Sequence, residues 1–218
     1  MRLILAIVMG ALLASGAVAG PAPELSIPPK PRPEGATIVL TQAKTSNLAF
    51  NRWIDRFRAR ARAAGIRDRV FENAFQDVRY NADVVQKDRN QSEFTKQIWE
   101  YLDSAASETR VKNGRAALRK NRRLLSEIEA RYGVEAEVVA AVWGLESAYG
   151  SFRGDVPIVE ALATLAYDGR RGRFFESQLI AALKIIQSGD VAPRRMTGSW
   201  AGAMGHTQFI PTSYLAYA

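Results

Sequence analysis

Apolar residues in this sequence recur three and four positions apart in block after block, and they never alternate for more than a few residues. That periodicity belongs to amphipathic helices with one apolar stripe, and it leaves little material for a sheet. Asn47 is placed to cap a helix carrying Leu48, Phe50, Trp53, Ile54, Phe57 and Ala61 on one face and ending near Gly65. A short helix is expected over about 68–75. Ser92 is a candidate cap for a helix with Phe94, Ile98 and Leu102 at helical spacing. One long helix is expected over about 112–132, basic on its exposed side, with Leu118, Leu125 and Ile128 opposite and Gly133 as its stop. The helix of Glu146 follows, and then helices over about 156–166 and 173–187. The fold class is all-α, or helix-dominated, with no internal repeat.

The N-terminal stretch MRLILAIVMGALLASGAVAG reads differently. A basic Arg2, an apolar run from Leu3 to Leu13 and the A-x-A pattern Ala17-Val18-Ala19 predict a signal peptide over residues 1–19. The run is too short to span a bilayer comfortably, and no second apolar span follows. A lipidated cysteine is excluded because the chain has no cysteine. An exported, disulfide-free protein points to a bacterial periplasm or to secretion. Residues 20–46 form a lead-in whose first part, GPAPELSIPPKPRPEG, is rich in proline and expected to be extended and flexible. Residues 47–218 then form the helical domain. The net charge of +8, which loses only Arg2 with the leader, favours polyanionic partners. For an exported protein those are wall polymers or membrane surfaces rather than nucleic acid. The basic residues are scattered along helices, and no nucleic-acid or phosphate-loop motif is present.

Two segments carry candidate chemistry. In AAVWGLESAYG, Glu146 stands on the same helical face as Val139, Val142 and Trp143, and Gly150 is placed to take a left-handed terminal position. A carboxyl buried among apolar side chains is held toward its neutral form and can act as a general acid. Pairing with a buried arginine, or capping a neighbouring helix, fits the pattern equally well. Downstream, GSWAGAMGHTQFIPTSY interleaves three glycines, Trp200 and Phe209 with Ser199, Thr207, Gln208, Ser213 and Tyr214. Amides and hydroxyls suit sugar hydroxyls and acetamides, and aromatic rings suit sugar faces. Close helix packing through small residues is the alternative, and both can hold. His206 is the only histidine and reads as a polar loop residue. With no cysteine and no second histidine, no metal-ligand set is expected.

These segments together resemble the lytic murein transglycosylases of the membrane-bound lytic murein transglycosylase B type, within the lysozyme-like superfamily. The likeness runs from about Phe50 to the end, through DRNQSEF, YLDSAASETRVKNGR, VVAAVWGLESAYG, ALATLAYDGRR and GSWAGAMGHTQFIPTSY in the family's order. It implies a lysozyme-like catalytic domain with Glu146 as acid and base, and Ser199 and Gln208 beside that acid and the bound sugar. Tyr214 is a further substrate-binding candidate. The pair Phe174-Phe175 lies where the family carries an aromatic near the cleavage site, without the hydroxyl that some members have there. The implied reaction is non-hydrolytic cleavage between N-acetylmuramic acid (MurNAc) and N-acetylglucosamine (GlcNAc) in peptidoglycan, leaving a 1,6-anhydro end and needing no cofactor. The family continues beyond the QFIPTSY block, so a C-terminal truncation is expected. Two other readings stay open: a hydrolase using Glu146 with Asp155 or Asp168, and a non-catalytic wall-binding protein.

Overall fold

The computed structural model describes the backbone of residues 37–90 and 97–218, and the side chains from residue 47 onward within those segments. The signal peptide, the proline-rich stretch and the Ser92 cap with Phe94 lie outside the described residues. Helix α1 spans Thr37–Ala63, α2 Asp68–Phe75, α3 Ala82–Arg89, α4 Ile98–Ala105, α5 Glu108–Lys120, α6 Arg122–Tyr132 and α7 Ala136–Ser147. Strand β1, Val156–Pro157, leads into α8 at Ile158–Asp168 and α9 at Gly172–Ser188. Strand β2, Thr197–Gly198, precedes α10 at Pro211–Tyr217. The helix-dominated class expected from the periodicity is the class observed. None of the described helices is long and apolar enough to cross a membrane.

Three boundaries and one further helix differ from expectation, each for a local reason. The first helix begins at Thr37, so Asn47 lies inside it rather than capping it; residues 37–46 contain no proline or glycine to stop a helix. The long basic helix is two helices broken at Asn121, whose Nδ2 and backbone N–H both donate to the Ala117 carbonyl, at 2.9 and 3.0 Å. A side-chain amide competing for a backbone acceptor in this way ends the regular ladder. Pro157 delays α8 by placing Val156 and Pro157 in an antiparallel pairing with Gly198 and Thr197. Helix α3 was not anticipated because its sequence, ADVVQKDR, is short and polar. Asn81 caps it, accepting from the Val84 N–H at 3.2 Å.

Helix α8 is the axis of the core. Ile158, Val159 and every residue from Ala161 to Ala166 are buried, as expected of a helix apolar all round. It packs along α9, which buries Phe175, Leu179, Ala182, Leu183, Ile185 and Ile186 against the same cluster. Phe50, Trp53 and Phe57 of α1 meet Tyr80, Tyr167, Phe71 and Phe75 in ring contacts of 5.4–6.4 Å. Polar groups on the axis are satisfied. Thr164 Oγ1 accepts from the Asn81 N–H at 3.2 Å, and Glu160 accepts from Asn81 Nδ2 at 2.9 Å and the Arg79 N–H at 3.3 Å. The buried Gln178 receives both the N–H and the hydroxyl of Thr212, at 3.1 and 3.0 Å, which docks the start of α10 on α9. Helices α4 to α7 stand apart from this cluster, and their buried apolar residues are Ala117, Leu125 and Ala140.

Candidate active site

Helix α7 turns its small residues inward and its large ones outward. Ala140, Gly144 and Ser147 are buried, whereas Val138, Val142 and Leu145 are 45–49% exposed. Glu146 lies at the C-terminal end of this open apolar face and is itself exposed. The expectation of a buried carboxylate is therefore corrected: on the stripe it shares, Val139 and Trp143 are half-buried and Val142 is exposed, and Glu146 itself stays in the open. The small face is occupied instead by Tyr149, whose ring lies where a side chain at Gly144 would stand. Tyr149 Oη donates to the Arg110 carbonyl at 3.0 Å, and Arg110 Nη1 donates to the Gly144 carbonyl at 3.1 Å. Helical spacing cannot say which of two apolar faces goes inward, and here the smaller one does.

Directly after Glu146 and Ser147 the chain leaves the helix through Ala148, Tyr149 and Gly150, with φ of 46°, 59° and 86°. One left-handed glycine was expected at this point, and two non-glycine residues share the conformation. Each costs about 1–2 kcal/mol of backbone strain. The turn is held by the Ala148 and Tyr149 N–H groups on the Gly144 and Trp143 carbonyls, at 3.1 and 3.3 Å, and by the Phe152 N–H on the Ser147 carbonyl at 2.9 Å.

The glycine-rich block folds back beside this turn. Ser199 closes its first loop: its N–H donates to the Ala203 carbonyl at 2.8 Å, and its hydroxyl oxygen accepts from the Ala203 N–H at 3.0 Å. Met204 then bridges to Gly198 on one side and Phe209 on the other. Gln208, at φ 47°, donates from Nε2 to the Gly205 carbonyl at 2.9 Å and to the Arg153 carbonyl at 3.2 Å. Ser199 and Gln208 thus brace the block, and neither is hydrogen-bonded to Glu146. The crossing of the two loops lies at Gly154, where φ is +80° and a Cβ would collide with the backbone of Gly198. Gly154→Ala is expected to lower stability by about 2 kcal/mol, read as a fall in the denaturation midpoint with an unchanged slope.

The remaining expected site residues separate. Phe175 is 1% exposed in the core, whereas Phe174 is 42% exposed, so only Phe174 can meet a ligand. Tyr214 Oη donates to Asp190 Oδ2 at 3.3 Å. It lines a cleft of about 630 Å³ together with Arg153, Asp190, Arg195, Met204, His206 and Phe209. Glu146 is not among the residues lining that cleft. Asp168 accepts from Arg89 at 2.7 Å with its side chain only 10% exposed, and Asp155 is exposed in the loop before β1. Two links, one of them anchored on a buried carboxylate, join the motifs. Asp88, 1% exposed, accepts from Arg170 Nε and Nη2, both at 2.6 Å, and from Arg171 Nη2 at 3.3 Å. Arg171 in turn lies over the rings of Phe174 and Phe175, at 5.6 and 4.9 Å. Among the described residues no group of three or more acidic, histidine or cysteine side chains could hold a metal.

The roles of His206, Trp143 and Ser147 were missed. Trp143 Nε1 donates to His206 Nδ1 at 2.9 Å, and Ser147 Oγ donates to the His206 carbonyl at 2.8 Å. The signal for Ser147 was there, a hydroxyl next to the acid on the inward face. His206 carried none, because its partners are 63 and 59 residues away in sequence.

The profile of the Transglycosylase SLT domain matches residues 49–218. The chain belongs to that family. Membrane-bound lytic murein transglycosylase B of Escherichia coli (strain K12) is 39% identical over 88 residues, 40% of this chain and 24% of that protein. SltB3 of Pseudomonas aeruginosa, solved in complex with NAG-NAM-pentapeptide, superposes with a TM-score of 0.75 at 51% identity, covering 78% of this chain and 45% of that one. The same protein is also solved with NAG-anhNAM-pentapeptide. Catenated SltB1 of Pseudomonas aeruginosa gives a TM-score of 0.71 at 32% identity, over 76% of this chain and 55% of that one. The chain thus spans about a quarter of the curated relative and about half of these solved structures. The lysozyme-like fold expected from the resemblance is that of these relatives.

Proposed function

We propose that this chain is the catalytic part of an exported lytic transglycosylase, which cleaves the MurNAc–GlcNAc bond of peptidoglycan without water. The observation that carries this reading is the position of Glu146. It is an exposed carboxylate at the end of an open apolar helix face, beside a braced glycine-rich block, in a chain that over 78% of its length is 51% identical to a protein solved with both a glycan-peptide and its anhydro counterpart.

In this mechanism the glycan strand lies along Val138, Val142 and Leu145, with Phe174 offering a further surface. Glu146 gives its proton to the glycosidic oxygen, and the bond to C1 of MurNAc breaks. The substrate's own acetamide oxygen stabilises the positive charge at C1, so no second carboxylate is required. The Glu146 carboxylate then takes the proton of the C6 hydroxyl as O6 closes on C1. The products are a GlcNAc hydroxyl and a 1,6-anhydro-MurNAc end, and Glu146 is again protonated. Ser199 and Gln208 act by holding the block that borders the sugar, and Tyr214 holds its far end through Asp190. Asp168 is committed to Arg89, which disfavours it as the base of a hydrolase. Reading residues 1–19 as a signal peptide supports a place in the periplasm or outside the cell, and the positive charge suits a wall polymer with carboxylate-bearing peptide stems.

Mass spectrometry of fragments released from purified peptidoglycan tests the proposal. Anhydro-MurNAc ends are expected. Reducing ends in their place would make the protein a hydrolase, and no release would leave it a wall-binding protein.

A further inference from the structure

We infer that His206 is a positioning residue that latches the glycine-rich block onto the end of α7 and thereby sets where the Glu146 carboxyl stands. The inference rests on Glu146 being the acid proposed above. Trp143 and Ser147 flank Glu146 on α7, and both are held by this one residue. The indole N–H of Trp143 donates to His206 Nδ1 at 2.9 Å, with the two rings edge to face at 5.7 Å and 67°. The Ser147 hydroxyl donates to the His206 carbonyl at 2.8 Å and accepts from the Gly150 N–H at 3.2 Å. Gly150 completes the seat: at φ +86° it carries no Cβ, and a Cβ there would run into the imidazole. The block thus touches α7 on both sides of the acid.

The chemistry of the latch makes it sensitive to protons. An indole N–H can only donate, so Nδ1 must present a lone pair and the imidazole must be neutral with its proton on Nε2. An imidazolium donates from both nitrogens and sets N–H against N–H. The side-chain half of the latch then opens, while the bond from Ser147 to the backbone carbonyl stays indifferent to pH. The charged and titratable groups that share the cleft lining with His206 are Arg153, Asp190, Arg195 and Tyr214, while Glu146 and Tyr149 are the titratable chain neighbours of Trp143 and Ser147.

Two measurements test the latch, one independent of catalysis. His206 is the only histidine, so a single imidazole signal reports its titration by NMR. The Trp143 indole N–H resonance, assigned with Trp143→Phe, is expected to move with that titration in the parent protein and in Glu146→Gln alike. An indole resonance that ignores the imidazole would overturn the latch. In the second measurement, His206→Ala is expected to lower kcat by roughly 10- to 100-fold with KM little changed, as for a displaced catalytic group. His206→Gln keeps an acceptor for the indole and does not titrate. It should stay within about threefold of the parent at neutral pH and lose the part of the acid-side fall that follows the imidazole. Full activity in His206→Ala, or an unchanged acid limb in His206→Gln, would overturn the positioning role. Should the parent release no glycan fragments, the assignment of Glu146 fails, and the indole titration decides the latch by itself.

Discussion

Glu146→Gln is expected to abolish release of glycan fragments, a loss on the order of 10³-fold in kcat, or about 4 kcal/mol of barrier. The glutamine keeps the shape and hydrogen-bonding reach of the acid but has no proton to give the glycosidic oxygen. Because Glu146 is exposed and forms no ion pair among the described residues, the substitution should leave the melting temperature within about 1 °C of the parent. Binding to insoluble peptidoglycan should persist. A variant that still produces anhydro ends at the parent rate would remove Glu146 from the mechanism. One that melts well below the parent would mean that the loss reflects folding rather than chemistry.

Asp88→Ala is expected to be among the most damaging single changes outside the apolar core, costing about 2 kcal/mol of stability. Asp88 is 1% exposed, and its two oxygens receive three hydrogen bonds from Arg170 and Arg171 at the turn between α8 and α9. Replacing it leaves the half-exposed Arg170 and Arg171 guanidinium groups without their carboxylate and opens a gap under the end of α3. The hydrogen bond from Arg170 is the main reason that the Asp88 carboxyl is held below its ordinary range, and burial opposes it. A carboxyl whose folded-state pKa is depressed stabilises the fold fully above its unfolded value, near 4, and loses that contribution as pH falls through the folded value. The parent should therefore lose stability below about pH 4, and Asp88→Ala should show a smaller loss over the same window. Urea midpoints at pH 7 and at a series of acid pH values measure both effects. Equal acid sensitivity in parent and variant would assign the loss to other carboxylates.

Asp88 also shows what the motifs were for. DRNQSEF and ALATLAYDGRR are far apart in sequence, and each was legible only as a family signature. In the fold the first supplies Asp88 and Arg89, and the second supplies Arg170 and Asp168, in two ion pairs across one junction. Arg171 carries the junction on to Phe174, so a pair of motifs that reads as identity acts as scaffolding for a candidate sugar-facing ring. Phe174 and Phe175 could not be told apart by spacing. Only the packing of α9 on α8 buries one and leaves the other out.

Helix content, the stops at Gly65 and Gly133 and the family were all contained in the sequence, because periodicity, capping and motif order are local properties. The surroundings of Glu146 were not. Its helix has an apolar stripe and a small-residue face, and either could have been buried. Tyr149 and Arg110 occupy the small face, which turns Val138, Val142, Leu145 and the acid outward. His206 depended on tertiary structure in the same way, since an imidazole in a glycine-rich loop has no reading until an indole N–H from another segment is placed 2.9 Å from it. The sequence by itself determined which residues are present to do chemistry. The tertiary structure decided which of them face water, because burial and long-range hydrogen bonds are properties of pairs of segments.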